Sequence, residues 1–482
     1  MSYGELFNEV QAAASSLREF GIERGRVVGL ALPSGPEMGT AFLAALSTGI
    51  ALPINPNAPA PETLRFLRDA HASAVILPAG TDTPARQASA QLELPLVEVS
   101  SSQDEPAGTV HLDCRGALPD DPQYHLNADL AMLMFTGGTT GRSKIVQLTT
   151  ANLQASTGYF LKFARLSPED RELNIMPMFH VQGLLAAFLS TILSGGSIVC
   201  TPGFDPAAFF DWFAEYRPSW FSASPTILQA IANRASAHSG QISNSRLRFI
   251  RCSAAPLPQN VVDRLQRSFK APVSEALGMT EAGGSITQNP LPPGARKDGT
   301  LGPSVGPELA IMAEGGSEIL PRRVVGEVVV RGPCVTPGYL EAPEDNARLF
   351  TDGWLRSGDQ GFLDSDGYLT ITGRLKDMYI CGGFNCYPAE IEKLLCGHPQ
   401  IHAAAVVGVP DERLGEIGKA YVVLRPGQAA AADDIIAWAR AHMANYKVPR
   451  AIVFVRELPT TASGKVLRMA LRQREESDGK AA

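Results

Sequence analysis

Phe135-Thr136-Gly137-Gly138-Thr139-Thr140-Gly141-Arg142-Ser143-Lys144 is the stretch on which the reading of this chain turns. The apolar run over 130–135 leads into it as a buried strand, and Ile145-Val146-Gln147-Leu148 leaves it as an alternating second strand. Three glycines, three threonines and two cations in ten residues suit neither a helix nor a core. They suit a loop whose backbone N–H groups and hydroxyls wrap an anion, since glycine reaches the angles of a concave nest. A Walker phosphate loop would join Gly-Lys-Ser/Thr directly and open a helix. Here Arg142 and Ser143 separate glycine from lysine and a strand follows, so an anion nest and a polar hairpin turn both remain open.

Composition sets the outer limits. The chain has 482 residues, enough for two to four domains, and 45% hydrophobic content, ample for large cores. A net charge of −7 with no strongly basic segment argues against nucleic acid as the partner. The 7 cysteines are scattered and form no Cys-x-x-Cys pair, which favours neither a disulfide framework nor a zinc site. No basic-then-apolar leader, no long apolar span and no sorting tripeptide is expected from the sequence, so the default is a cytoplasmic monomer or homodimer.

Working outward from the loop, helical and strand patterns alternate. Helices are expected over 3–20, 37–48 and 62–71, and strands over 27–32, 51–54 and 74–77. Beyond the loop the pattern predicts helices over 152–163, 184–193, 206–216, 226–235 and 260–268, with strands over 197–200 and 248–252. Such alternation predicts parallel sheets with helices on both faces. From about residue 300 short strands punctuated by Gly, Pro and Asp predict an antiparallel β subdomain. After Gly373-Arg374-Leu375-Lys376-Asp377 a mixed α/β segment follows as a separate small domain. The expected architecture is therefore α/β. A large N-terminal domain (1–374) holds two α/β subdomains and a β subdomain, a hinge covers 375–377, and a small mobile α+β domain covers 378–482.

Four further clusters are too polar for their settings. Thr280-Glu281 follows a strand-like run and reads either as a Mg²⁺ and phosphate site or as a helix N-cap with a first-turn glutamate. Ser357-Gly358-Asp359 offers a carboxylate for two ribose hydroxyls, or simply a turn. Arg374-Leu375-Lys376-Asp377 is equally a solvated linker, and Ser463-Gly464-Lys465 equally a surface lysine on a small-residue loop.

Taken in order and at their spacing, these clusters resemble the adenylate-forming superfamily of acyl- and aryl-CoA synthetases, peptide-synthetase adenylation domains and luciferases. The resemblance spans essentially the whole chain. It includes Pro177-Met178-Phe179-His180, Ser224-Pro225-Thr226, Ser253-Ala254-Ala255-Pro256-Leu257, Gly326-Glu327, Gly338-Tyr339 and Gly382-Gly383-Phe384-Asn385-Cys386-Tyr387-Pro388.

The resemblance implies an acid–thiol ligase. A carboxylate attacks the α-phosphate of Mg·ATP to give acyl-AMP and pyrophosphate, and the thiol of coenzyme A then takes the acyl group. Such chemistry needs positioning and charge neutralisation more than covalent help. It implies that Thr136, Thr139, Thr140 and Lys144 hold the β- and γ-phosphates, that Glu281 ligates Mg²⁺ and that Thr280 meets the α-phosphate. Ser253, Ala254, Ala255, Glu275, Ala276 and Leu277 would line the nucleotide, and Asp359 would take the ribose with Arg374 in support. Lys465 would bridge carboxylate and α-phosphate. Lys376 would be the pivot that later removes it and brings Gly382 and Gly383 to the thiol tunnel. His180 would wall the acyl pocket, with Val181, Gln182, Trp220, Phe221, Ser222, Arg251, Cys252, Gly278 and Met279 as its lining.

The sequence departs from the family pattern on its nucleotide side. Gly137 stands where the family has serine, Ser143 for proline, Ile145 for glycine, and Leu277 for the tyrosine that stacks on adenine, a contact of about 0.5–1.5 kcal/mol. This favours, as an alternative, an enzyme that takes preformed acyl-AMP. Two further alternatives are a loader of a separate acyl carrier protein and a non-enzymatic acyl-AMP sensor. For the acid, residues 247–251 and 279–294 resemble the oxalate–CoA ligase branch. Residues 382–388 look instead like bacterial synthetases for fatty or steroid-derived acids, and a bulky or medium apolar acid is the expectation. Arg251 is either a partner for a second carboxylate or a structural arginine.

Overall fold

The computed structural model describes residues 1–102, 104–121, 124–136, 144–253, 257–461, 466–468 and 470–473, without the side chain of Asn385. Four sheets organise them. In the first, the strands Leu96–Ser100, Ala72–Pro78, Val27–Leu30, Ile50–Pro53 and Leu130–Thr136 lie side by side and parallel. Antiparallel strands His111–Arg115 and Lys144–Thr149 close its edges. The central strands read as unbroken apolar runs because helices cover both faces, the arrangement that lets parallel strands exist at all.

The second sheet sets Ser197–Cys200, Arg171–Asn174, Trp220–Ala223, Phe249–Cys252 and Val273–Met279 in parallel, with Gly284–Gln288 antiparallel at its edge. The third is the antiparallel β subdomain, built on Glu308–Met312, Gly326–Arg331, Trp354–Leu363 and Leu369–Arg374. The fourth carries the C-terminal region on the long hairpin Ile401–Asp411 and Gly415–Leu424, flanked by Tyr379–Cys381 and Ala451–Phe454. Among the described residues no helix is long and apolar enough to cross a membrane.

Three local features differ from the sequence reading. Ser357-Gly358-Asp359 is not an isolated turn: it lies inside the strand Trp354–Leu363, where Gly358 takes φ 71° and the register shifts close by. The helix expected over 184–193 begins as a π-helix, Gln182–Leu189, and continues as the α-helix Ser190–Leu193. Wide π turns gather at functional segments. A side chain at Gly183 would put its Cβ 2.4 Å from the Pro177 carbonyl oxygen, so only glycine lets this helix start so close to residues 177–180. Finally, Arg171–Asn174 is a strand although Arg, Glu and Asn carry no strand pattern; both Glu172 and Asn174 are buried.

Candidate functional site

The loop that opened the sequence reading spans a hairpin. Its two strands pair from Leu130↔Thr149 to Thr136↔Lys144, so the last described residues on either side, Thr136 and Lys144, face each other at the mouth. Residues 137–143, with Thr139 and Thr140, lie outside the described residues, as do Ala254, Ala255 and Lys465. Behind the hairpin, Thr149 caps the helix Thr150–Ala164 and Asn152 reciprocates, fixing where the chain turns back under the sheet.

From Lys144 a line of contacts runs through Tyr339 to Glu281 at the end of the second sheet. Lys144 Nζ lies 2.6 Å from Asp345 Oδ1 and 4.9 Å from the centre of the Tyr339 ring. Tyr339 donates its hydroxyl hydrogen to Glu281 Oε1 at 2.8 Å, and burial together with that carboxylate pushes its phenol well above the ordinary range. Glu281 is the middle residue of a short 3₁₀ turn, Thr280–Ala282, at the end of Val273–Met279, and its carbonyl accepts from the Thr336 amide at 2.8 Å. Across from it, Arg374 Nε donates to Asp359 Oδ1 at 2.6 Å. Lys376 feels this group: burial and then the Arg374 cation hold its ammonium below the usual lysine range, while Asp377, Asp359 and Glu281 pull the other way.

The nucleotide-side residues of the second sheet follow the strand Val273–Met279. Glu275 is buried and paired with Arg296 at 2.6 Å; burial raises its carboxyl although the Arg296 charge opposes the shift. Ser253 sits at the carboxyl end of Phe249–Cys252, with its hydroxyl 3.5 Å from the Ala276 carbonyl. Leu277 leans on Ile311, Val328 and Leu369 of the third sheet.

The pocket residues separate by face. Along Trp220–Ala223 and Phe249–Cys252, alternate side chains point to opposite sides. Ser222 and Arg251 face the π-helix side, where Gln182 Nε2 donates to Ser222 Oγ at 2.8 Å. Phe221 and Cys252 turn the other way into the core of Phe209, Phe213 and Phe269, so their side chains are core and not pocket lining. Trp220 packs on Phe249 and Phe160, farther down the face. His180 has no partner for its buried Nε2, and burial pulls its imidazole down to about 4, leaving it neutral at physiological pH. Gly278 lies so near the neighbouring strand that a Cβ would come 2.7 Å from the Gly284 carbonyl oxygen, and Met279 is half-buried beside it.

The segment 375–377, expected from the sequence to be a hinge, is held from both sides. Arg374 is tied to Asp359, whereas Asp377 accepts from Arg468 Nη1 at 3.3 Å, and the same guanidinium reaches Glu392 Oε2 at 2.5 Å. Gly382 and Gly383 form the exposed turn between Tyr379–Cys381 and Phe384–Cys386, both at positive φ, as a two-residue hairpin requires. Gln360 Nε2 donates to Tyr387 Oη at 2.9 Å, joining the third sheet to the C-terminal region.

Sequence reasoning assigned no role to Tyr339, Asp345, Arg468, Ser285 or Gln288. Tyr339 stands in a quoted Gly-Tyr stretch, which was a usable signal. Asp345 is 201 residues from Lys144 and nothing local marks it.

Donor chemistry limits what this group can hold. Glu281 and Thr280 offer only hard oxygens, which suit Mg²⁺ and not a soft metal. Among the described residues no three His, Cys, Asp or Glu side chains cluster as a metal site. An ion here would draw most of its ligands from phosphate oxygens and water.

Comparison with known proteins identifies the family. Residues 1–340 match the AMP-binding enzyme family and residues 390–465 match the AMP-binding enzyme C-terminal domain. An oxalate–CoA ligase of Saccharomyces cerevisiae is 33% identical over 93% of this chain and 87% of its own length. A feruloyl-CoA synthase of Amycolatopsis is 36% identical over 98% of this chain and 94% of its own. The ATP-bound crystal structure of MatB from Rhodopseudomonas palustris superposes with a TM-score of 0.87 at 29% identity, covering 98% of this chain and 93% of that one.

Proposed function

The chain belongs to the AMP-binding enzymes and is an acid–thiol ligase of the acyl-CoA synthetase branch, and we propose that it runs both halves of the reaction on ATP, an acid and coenzyme A. In the first half a carboxylate oxygen attacks the α-phosphorus of ATP, the bond to the β-phosphate breaks, and pyrophosphate leaves. In the second, the thiol sulfur attacks the acyl carbon, AMP departs with the bonding pair, and the thiol proton passes to solvent.

The observation that carries this reading is that Tyr339 joins Lys144 to Glu281, while Lys376 stands within electrostatic reach of both Glu281 and the Arg374-paired Asp359. In this reading Lys144 neutralises charge on the β- and γ-phosphates, Thr136, Thr139 and Thr140 donate hydrogen bonds to them, and Thr280 meets the α-phosphate. Asp359, oriented by Arg374, accepts from the ribose hydroxyls. Glu281 holds Mg²⁺, which would spread the charge that builds on the phosphate oxygens. Lys465 serves the reacting carboxylate. His180, neutral and without a partner, walls the acyl pocket as a dipole and not as a cation.

One observation favours a second reading. Lys144 is paired with Asp345, so a polyphosphate must displace a carboxylate before gaining its cation. That would weaken the ATP half and leave an enzyme better at taking preformed acyl-AMP. Exchange of labelled pyrophosphate into ATP, alongside acyl-CoA formation over a panel of acids, decides. Exchange with thioester formation supports the two-step reading, thioester from supplied acyl-AMP without exchange supports the second, and neither product from any acid rejects both. Coenzyme A against a carrier protein as acceptor belongs to the same assay.

A further inference from the structure

The side of the second sheet that meets the π-helix Gln182–Leu189 is apolar at one end, where Trp220 and Phe249 pack with Ala187, and carries a polar group at the other. Arg251, 2% exposed, lies at its centre. Its Nη1 donates to Ser222 Oγ at 3.1 Å, its Nη2 to Ser285 Oγ at 2.8 Å and its Nε to Gln288 Oε1 at 3.3 Å. All three acceptors are neutral. Of the other well-covered arginines, Arg296, Arg356 and Arg468 each reach a carboxylate, while Arg26 donates to the Pro119 carbonyl at 2.8 Å. Among the described residues no carboxylate lies within ion-pair distance of Arg251. Burial pulls its guanidinium down to about 10, which still leaves a full charge at neutral pH.

A buried cation without an anion is a large expense for a fold, offset here only in part by three hydrogen bonds and the Phe160 ring 5.2 Å from the guanidinium carbon, and such groups gather where a ligand brings the missing charge. The position fits that role. Ser222 bridges Arg251 to Gln182, two residues beyond His180, so the guanidinium is wired to the segment assigned to the pocket wall. Arg251 also stands one residue from the end of its strand, close to Ser253 on the nucleotide side. Hydroxyl and amide neighbours can rotate away from the guanidinium fork, whereas a carboxylate counter-ion would block it.

We propose that Arg251 receives a second anionic group, carboxylate or sulfonate, on a short acyl substrate, so that the pocket selects a doubly acidic acid over an apolar one. The inference rests on the acyl-CoA synthetase reading and names its substrate class. The fork would take the distal anion bidentately, while the reacting carboxylate stays at the nucleotide end.

The test compares acids matched in length on the whole chain with ATP, Mg²⁺ and coenzyme A: malonate, succinate and sulfoacetate against propionate, butyrate and monomethyl succinate. The expected result is a kcat/KM at least tenfold higher for the doubly anionic member of each pair. Arg251→Gln should abolish that preference, as for a buried charge pair that loses one member. Arg251→Lys should keep part of it. Should Arg251→Gln fail to fold, the wild-type comparison decides alone, with Gln182→Ala as the second variant expected to raise the KM of the diacids. Equal or better use of the singly charged acids overturns the inference and leaves the ligase reading standing. No AMP or thioester from any acid removes both.

Discussion

Tyr339 donates to Glu281 at 2.8 Å while its ring carries Lys144 4.9 Å from its centre. One side chain thus orients the carboxylate assigned to Mg²⁺ and supports the cation assigned to the phosphates. Hydrogen bonds to charged groups contribute about 1.5–3 kcal/mol. Tyr339→Phe keeps the ring and removes only the hydroxyl, so it should slow adenylation roughly tenfold or more and raise the Mg²⁺ concentration for half-maximal rate. Thioester formation from supplied acyl-AMP should change little. Pyrophosphate exchange titrated with Mg²⁺ reads the difference, and an unchanged Mg²⁺ midpoint would count against the role.

Asp345 holds Lys144 in a partly exposed pair, their side chains 40% and 28% accessible. Screened pairs of this kind contribute at most about 1 kcal/mol. Asp345→Asn should therefore tighten ATP binding by up to about fivefold, most clearly at low salt, with stability nearly unchanged. Calorimetric titration with ATP at two ionic strengths tests it, and weaker binding in the variant would show that Asp345 assists the site.

Glu172 is fully buried, neither carboxylate oxygen has a partner, and burial raises its carboxyl well above the ordinary range. It stays protonated in the folded chain at pH values where the unfolded chain, with an ordinary value near about 4.3, has ionised. The unfolded state then binds fewer protons, so stability falls as pH rises, by up to about 1.4 kcal/mol per pH unit until the folded group titrates too. Glu172→Gln should match the wild type below about pH 4 and exceed it increasingly towards neutrality. Urea melts at pH 4, 5.5 and 7 would show this as diverging curves; parallel curves would refute it.

Arg468 serves Glu392 and Asp377 together, and Glu392 in turn accepts from the Val406 amide at 2.8 Å. Arg468→Gln would leave two carboxylates side by side without a counter-ion, at about 3 kcal/mol. The loss should fall on the C-terminal sheet first. Hydrogen exchange at Val406 should quicken, while amides of Val27–Leu30 keep their protection. Equal loosening of both would mean that the two regions unfold as one.

The sequence made the sheet alternation legible because buried parallel strands such as Ala72–Pro78 announce themselves as apolar runs. It also flagged the glycine loop and the Thr280-Glu281 and Asp359 positions, since charge in an apolar setting is visible locally. It hid what depends on distant approach. Asp345 meets Lys144 only when the third sheet folds against the first, and Tyr339 meets Glu281 across 58 residues. Face was the other hidden variable. Trp220 through Ser222 read as one pocket stretch, yet Phe221 points into an aromatic core because neighbouring residues in a strand look opposite ways. The strand Arg171–Asn174 escaped notice because its polar side chains are buried, against every compositional sign.

Two ion pairs bracket the segment expected to act as a hinge, three positions apart in sequence, Arg374 with Asp359 on one side and Asp377 with Arg468 on the other. A swivel placed between them would turn on the backbone angles of Leu375 and Lys376 and sever neither clamp. The bracket works as a bearing: each half keeps its own grip while the shaft rotates. The swing would then break neither ion pair, and its polar cost would fall on the Gln360–Tyr387 hydrogen bond and on the surroundings of Lys376.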